Sequence, residues 1–381
     1  MFWRKWGKAK VNRERILALD LLRGTFLVEI IAAHIAWHSS IYTFISGGNQ
    51  LPASAAEGFF AISGILVGYL YGPRVLKDTK KVFIKIWKRA GLLWFLATFF
   101  TIFYTAWAVS TPDSQTYLTI YDREAWRFLL NTFTLRYSFG WAEFLNRYAM
   151  FMLFAPFAVW LIAKGRAWIV ALGSFLIWFF LRETAFFLPF SAWQIVFFFG
   201  IILGFYLPHI EALFKSLSKD RQRVVFRGVL MSGLATYIFS VTLFLIIPMV
   251  LSWYAPAMQL HDQAISYFDK THLAPAHIAV GILWFVTLYM LFRYYEQAIS
   301  KKTYGVLEVF GRQSLFVYSF HAVVLFIIDL YFIPPAGTTI VRNTIVTTAV
   351  LGIIYVAAYY RGHVTDYGKK LLRNRSTTQI P

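Results

Sequence analysis

Long apolar runs, separated at intervals by short polar or basic segments, are the main pattern along the 381 residues of this chain. A helix needs about 20 mostly apolar residues to cross the hydrocarbon core of a bilayer. The pattern predicts about ten transmembrane helices, which lie near residues 16–37, 53–72, 90–110, 145–163, 167–181, 189–207, 228–251, 274–292, 311–333 and 339–360. The predicted fold class is therefore an all-α polytopic integral membrane protein.

Two segments between these runs have different patterns. Residues 122–137 place apolar side chains at helical spacing among charges, which predicts an amphipathic helix at the outer membrane interface. Residues 252–273 are more polar and are interpreted as a loop that helps to shape an external site. Because no repeat or linker divides the runs, we predict one transmembrane domain at 16–360, with basic termini at 1–15 and 361–381.

The composition supports a membrane protein and changes the interpretation of the charge. Hydrophobic residues make up 59% of the chain and charged residues 14%, whereas soluble domains have roughly 25% charged residues. A net charge of +19 would suggest nucleic acid as the partner of a soluble protein. Here the Lys and Arg residues lie between apolar runs, so membrane topology and anionic lipids explain most of them. We expect membrane lipids, and no nucleic acid, as partners.

The distribution of basic residues predicts the sidedness of the chain. With ten spans and a cytoplasmic N-terminus, the inner segments hold 29 of the 37 Lys and Arg residues, and the outer segments hold six. This asymmetry satisfies the positive-inside rule with both termini in the cytoplasm. The chain has no cysteine, which excludes a thiolate nucleophile, an acyl-cysteine intermediate and thiolate metal ligands.

The first apolar run, ALDLLRGTFLVEIIAAHIAW at 18–37, carries four ionisable side chains. Arg23 and His34 are almost three helical turns apart, so they share one face and are separated by about 16 Å. Asp20 lies on that face one turn before Arg23, whereas Glu29 is expected to point away from His34. The pattern is typical of a helix that lines a tunnel. The alternative is that Arg23 only reaches the inner headgroups and His34 bonds to a neighbouring helix.

Ionisable residues inside a membrane are functional candidates. An arginine can bind phosphate through two hydrogen bonds, and a histidine can transfer protons near neutral pH. His38 follows His34 by one turn, but no third ligand stands at a suitable spacing, so no metal site is expected. Glu57, at the start of the second run, needs a partner such as His34, His38 or a sugar hydroxyl.

Other candidates occur later in the chain. Trp193 and Gln194 enter their run from the outer side, where a tryptophan is more often an interfacial anchor. Lys270 and His277 lie near the outer surface and have simple solvation as their alternative. His321 lies in the middle of the ninth run, where a functional and a structural role have equal weight.

Several ordered blocks resemble one family. ALDLLRGTFLVEIIAAH, SAAEGFFAISGILVGYLYGPR, NRYAMFMLFAPFAVWL, FSAWQIVFFFGIILGF, KTHLAP and GRQSLFVYSFH are similar to OpgC-type proteins, which succinylate osmoregulated periplasmic glucans. They also resemble the wider transmembrane acyltransferases, whose first helix carries an Arg-x10-His motif that Arg23 and His34 match. In the family pattern an aspartate precedes the Ala-Ala-Glu block, where this chain has Ser54.

The resemblance implies O-acyl transfer from cytoplasmic acyl-CoA to an extracytoplasmic glucan or other glycan, in a bacterial inner membrane. Succinyl-CoA is the first choice of donor, acetyl-CoA is the alternative, and a homodimer is compatible with this function. His34 would be the catalytic base or a transient acyl carrier. The expected site has three groups: catalytic His34, Glu57 and His321; donor-binding Arg23, Asp20, Arg74 and Arg89; and acceptor-binding His38, Trp193, Gln194, Lys270 and His277.

Two other classes compete with an enzyme. A secondary transporter or flippase would also carry buried charges along one helix. No inverted repeat and no matched pair of interrupted spans supports that class. An inactive relative that serves as an assembly partner is the third hypothesis.

Overall fold

The structure is a computed structural model of the chain. The residues that it describes are 15–35, 40–47, 50–110, 124–184, 188–331 and 339–377. In these ranges every regular element is a helix and none is a strand, so the predicted all-α class is confirmed.

The helices follow one another in chain order over most of the described residues. They are α1 Leu17–His34, α2 Ile41–Ser46, α3 Ala55–Val75, α4 Thr79–Ser110, α5 Ala125–Phe133, α6 Glu143–Ala163, α7 Ala167–Leu181, α8 Leu188–Ser216, α9 Lys219–Val241, α10 Ile247–Val250, α11 Ala255–Tyr267, α12 Pro275–Tyr294, α13 Glu296–Lys302, α14 Val306–Arg312, α15 Ser314–Tyr331 and α16 Ile340–Thr377. A 3₁₀ turn at Gly140–Ala142 leads into α6, and a π-helical segment at Thr242–Ile246 joins α9 to α10.

Seven helical segments are long and apolar enough to cross a membrane, which identifies an integral membrane protein. They are Ala55–Val75, Thr79–Ser110, Gly140–Ala163, Phe190–Ser216, Lys219–Val250, Pro275–Tyr294 and Ile340–Val364. An eighth span is formed if α14 and α15, which meet at an angle of 96°, cross together. Two of the ten predicted segments do not meet the same requirement: α1 carries three Asp, Glu or Arg residues, and α7 has 15 residues. The count of ten stays a prediction.

Three local features differ from the sequence-based expectations. The amphipathic helix expected at 122–137 is present as α5 over Ala125–Phe133, with Phe128 and Thr132 buried and Trp126 exposed. The segment expected to be a loop at 252–273 contains α11, because a proline in the first turn and good helix formers outweigh its polar character. Helix α16 continues beyond the expected end of the last span, to Thr377.

Glycines bring α1 into direct contact with α14. A Cβ added at Gly24 would lie 2.0 Å from the backbone oxygen of Leu307, and one at Gly311 would lie 1.9 Å from the backbone oxygen of Asp20. Both distances are far below van der Waals contact, so only glycine permits this approach. The break after α14 then starts α15 beside α1.

Glycines four residues apart also pack α3 against α8. Gly64 and Gly68 on α3 face Gly200 and Gly204 on α8, the arrangement known from close helix pairs in membranes. A Cβ added at Gly204 would lie 1.9 Å from the backbone oxygen of Ile65. The small residues of the second run therefore have the packing role that the sequence predicts, and they fix the two helices that flank the site.

Replacing Gly204 by alanine is expected to lower the thermal unfolding temperature of the detergent-purified protein. The extra methyl group must push α3 and α8 apart, and overpacking of this kind costs about 1–3 kcal/mol. The matched control is Gly173→Ala in α7, where an added Cβ meets no atom within 4 Å. We expect that variant to unfold at or slightly above the wild-type temperature. Equal unfolding temperatures for the two variants would contradict the packing argument.

Candidate functional site

A cavity of about 470 Å³ lies where the C-terminal end of α1 meets the N-terminal ends of α3 and α6. We call it the histidine cavity. Its ionisable lining residues are Glu29, His34, Glu143, Arg147 and Lys270, and its aromatic lining residues are Trp141, Phe144, Trp193 and Tyr318. The cavity therefore joins side chains from helices that are distant in sequence, and it has the size and mixed polarity of a ligand site.

His34 forms a pair with His321 at the wall of this cavity. The two rings are stacked, with centroids 5.5 Å apart, and His34 Nδ1 lies 3.2 Å from His321 Nε2. His321 is fully buried, and its Nδ1 bonds to the backbone oxygen of Tyr318. The structure thus brings together two histidines that are 287 residues apart in the chain.

The hydrogen bonds of this pair define its tautomers. The Tyr318 carbonyl can only accept, so His321 Nδ1 must carry a proton and donate it. In a neutral ring, His321 Nε2 is then an acceptor, and His34 Nδ1–H donates to it. A neutral His34 consequently has an unprotonated Nε2. This nitrogen is in the correct state to act as a base or a nucleophile.

Cationic and aromatic side chains also line the histidine cavity. Arg147 forms an ion pair with Glu143, and its guanidinium lies 4.9 Å from the centre of the Trp193 ring. Burial lowers the pKa of the Lys270 ammonium; the Glu57 carboxylate opposes this shift, and Arg147 adds to it. The cavity is therefore lined by an arginine and a lysine as well as by His34.

The segment that carries Lys270 is held from two sides. The Trp178 indole donates to the backbone oxygen of Leu273 at 3.1 Å. Burial raises the pKa of Asp269, but hydrogen bonds from the His272 side chain and the Thr271 amide outweigh this effect, and the pKa is lowered. These contacts fix the short connection between α11 and α12 at the edge of the cavity.

A much smaller cavity of about 10 Å³, which we call the arginine cavity, lies beside the N-terminal half of α1. Arg23 donates to the hydroxyl of Ser314 at 3.5 Å and to that of Ser63 at 3.3 Å, while its Nε is buried without a hydrogen-bond partner among the described residues. Arg89 lines the same cavity beside the Tyr148 ring, 6.0 Å from its centre. No described carboxylate lines this cavity, so it has the electrostatic character of an anion site.

Glu57 has its own set of partners. One carboxylate oxygen lies 2.9 Å from His277 Nε2, and the other accepts from the amide of Ser54 at 2.9 Å and from its hydroxyl at 2.6 Å. Both side chains of the pair are buried, and neither lines the histidine cavity, although Ser54 does. The pair ties the start of α3 to the start of α12. The pair therefore positions Ser54 and the start of α3 in the wall of the histidine cavity, although Glu57 and His277 themselves do not line it.

Three other sequence candidates, Gln194, Asp20 and Arg74, line neither cavity. Gln194 is fully buried and bonds to Ser174, which joins α8 to α7. Asp20 pairs with Arg15, and Arg74 is exposed at the end of α3. His38 lies outside the described residues.

Sequence reasoning missed several lining residues. Glu29 was expected to point away from His34, yet both side chains line the histidine cavity, because the cavity is wider than one face of α1. Glu143, Arg147 and Tyr318 also line it. Their signal in the sequence was weak, since Arg147 stands at the predicted start of a span and resembles a topological charge.

Comparison with known proteins gives one match. A family model described as OpgC protein matches residues 15–365, which is most of the chain. No curated protein matches the chain. No solved structure matches it either.

Replacing His277 by alanine is expected to destabilise the protein strongly, because the variant leaves the buried Glu57 carboxylate without its partner. Breaking a buried pair in this way costs about 3–5 kcal/mol. The measurement is thermal unfolding in detergent. His272→Ala, which removes the partly exposed partner of Asp269 on the neighbouring segment, is the control and should unfold near the wild-type temperature. A His277→Ala protein as stable as this control would contradict the structural role of the pair.

Proposed function

The chain belongs to the OpgC protein family, and on that premise we propose that it is a membrane-bound O-acyltransferase that moves an acyl group from acyl-CoA to hydroxyl groups of an extracytoplasmic glucan. A succinyl group is the first choice and an acetyl group the second. The observation that carries the proposal is the His34–His321 pair, which leaves an unprotonated imidazole nitrogen at the wall of a ligand-sized cavity.

We propose ten membrane-crossing segments with both termini in the cytoplasm of a bacterial cell and the chain in the inner membrane. The excess of basic residues in the inner segments supports this orientation. The arrangement of the helices is compatible with it, since residues from the expected outer ends of α1, α3, α6 and α8 line one cavity. In this orientation the histidine cavity faces the periplasm, and the arginine cavity lies toward the cytoplasm.

The donor would enter from the cytoplasmic side. CoA carries several phosphate groups, and Arg23 and Arg89 form a cationic site with no described carboxylate in its lining. A surface pocket of about 350 Å³ at the start of α4 adds net positive charge, since Asp78 is its one acidic lining residue and its basic ones are Lys80, Lys81, Lys85 and Lys88. These groups favour an anionic donor through charge-assisted hydrogen bonds. The acyl end of the donor would extend along α1 toward His34.

The acceptor would enter from the periplasmic side. Trp141 and Trp193 offer flat rings for the faces of sugars, and Glu29 and Glu143 offer acceptors for their hydroxyl groups. Lys270 lines the same cavity and would stabilise negative charge on the reacting carbonyl oxygen.

In the proposed reaction, the oxygen of an acceptor hydroxyl attacks the thioester carbonyl while His34 Nε2 takes the proton of that hydroxyl. The carbon–sulfur bond then breaks, and the same proton passes from His34 to the leaving sulfur. His321 has a positioning role, because it holds the proton on Nδ1 of His34. In the alternative route, His34 Nε2 attacks the thioester carbonyl, the carbon–sulfur bond breaks, and the CoA thiolate leaves a transient acyl-histidine. The acceptor oxygen then takes the acyl group as the carbon–nitrogen bond breaks, and the hydroxyl proton goes to the thiolate.

The histidine pair is tested by transfer of radiolabel from acyl-CoA to glucan by purified protein. His34→Ala should lower the rate by at least about 10²- to 10⁴-fold, the usual contribution of a general base. His321→Ala should lower kcat by about 10- to 100-fold, since the imidazole loses its orienting partner. His321→Gln should recover part of this loss, because its amide oxygen can accept from His34 Nδ1.

The matched control for these variants is His363→Ala, which removes an exposed histidine on α16. Retained transfer in a folded His34→Ala protein would overturn the role of His34. Quenching the wild-type reaction before the glucan is added separates the two routes, because only the acyl-histidine route leaves label on the protein.

Replacing Arg23 by glutamine is expected to raise the KM for acyl-CoA and to leave the KM for glucan unchanged, since only the donor is assigned to the arginine cavity. Loss of one charge-assisted contact costs about 1.5–3 kcal/mol, or roughly a 10- to 100-fold rise in KM. The measurement is donor and acceptor titration of the transfer rate. Arg166→Gln, an exposed residue between α6 and α7, is the control. An equal rise in both KM values would contradict the assignment.

A further inference from the structure

The histidine cavity and the arginine cavity lie in sequence along α1, and a partition separates them. Among the described residues, two side chains line both cavities: Phe144 and Tyr318. Their ring centres are 4.7 Å apart. These two rings therefore form the wall between the cavity that holds His34 and the cavity that holds Arg23.

Tyr318 is the fixed half of this partition. Its hydroxyl donates to the backbone oxygen of Trp141 at 3.0 Å, and its backbone oxygen accepts from His321. The side chain is almost completely buried. Movement of this ring would break its own hydrogen bond, and movement of its backbone would disturb His321.

The ring contacts of Phe144 among the described residues are all with other aromatic rings. Its ring stacks on Phe60 with centres 4.2 Å apart and also contacts Phe59 and Tyr318. It lies in the first turn of α6, directly after the 3₁₀ turn that begins at Gly140. Rotation of this side chain breaks no hydrogen bond and requires space that the histidine cavity provides.

We propose that Phe144 is the movable part of the partition: it separates the two cavities at rest and turns into the histidine cavity to let the acyl arm of the donor reach His34. The nature of the molecule that passes rests on the proposed function. The separation of the two cavities by Phe144 does not depend on the proposed function.

A membrane protein with this arrangement needs such a barrier. Ionisable side chains stand on both sides of the partition, so an open connection would give water and ions a polar path through the chain. A narrow apolar constriction excludes water when no substrate fills it. The arginine cavity, at about 10 Å³, has room for about one water molecule, so the path is closed at this level.

Site-directed labelling can test the barrier directly, because the chain contains no cysteine. Ser314→Cys places one thiol in the arginine cavity, and Ala33→Cys places one in the histidine cavity. Each is made with Phe144 intact and with Phe144→Ala. A membrane-impermeant anionic thiol reagent is added to spheroplasts and to inside-out vesicles. The preparation in which Ala33→Cys reacts is then used for all variants.

With Phe144 intact, Ser314→Cys should be protected while Ala33→Cys reacts. With Phe144→Ala, labelling of Ser314→Cys should become about tenfold faster or more, because the dewetted constriction is lost. Phe151→Ala is the matched control, since Phe151 lies on the same helix and contacts the same Phe60 ring but lines neither cavity. It should leave Ser314→Cys protected.

Two results would overturn the barrier: fast labelling of Ser314→Cys with Phe144 intact, or protection that persists in Phe144→Ala. Phe144→Leu provides a second test if the alanine variant does not fold.

The movement of Phe144 is tested by Phe144→Trp, which should keep Ser314→Cys protected and lower acyl transfer while donor binding is retained. Transfer at the wild-type rate in this variant would overturn the movement. Absence of transfer from any donor by the wild-type protein would instead contradict the proposed function, and the labelling result would stand.

Discussion

The cost of burying ionisable side chains among apolar helices determines how the other helices are arranged around α1. Arg23 and His34 lie at different levels along α1, and each requires a polar partner at its own level. Helix α15 supplies a partner for both. Ser314 contacts Arg23, and His321, two turns later, contacts His34. Helix α15 must therefore run beside α1 in register with it. The site is a consequence of this pairing, since the same contacts that satisfy the buried polar side chains of α1 also orient its imidazole.

Close packing makes this register possible. Gly24 and Gly311 let α14 lie directly against the first turns of α1, and the chain then bends by 96° so that α15 can follow α1 toward His34. A continuous helix through 306–331 would carry Ser314 and His321 away from α1. The bend replaces a simple span with two shorter elements, whereas the apolar run at 311–333 predicted one continuous helix.

The sequence predicted features that depend on local periodicity. The all-α class follows from the apolar runs, and the shared face of Arg23 and His34 follows from helical spacing. Contacts between distant residues did not follow, because local patterns do not encode the order in which helices pack. His321 is 287 residues from His34, and His277 is 220 residues from Glu57. Glu29 was expected to lie apart from His34 for a related reason, because the sequence shows one helix face at a time. A cavity between several helices is lined by more than one face of each helix.

Tyr318 links two properties that are otherwise independent. Its ring closes the path between the cavities, and its backbone carbonyl fixes the proton on His321 and, through it, the tautomer of His34. A distortion of α15 large enough to open the path at Tyr318 would also release His321 and leave His34 in a mixture of tautomers. Opening of the path at Tyr318 would thus release the proton that is fixed on Nδ1 of His34. The position of this one residue on α15 therefore couples closure between the two cavities to the protonation pattern of the histidine pair.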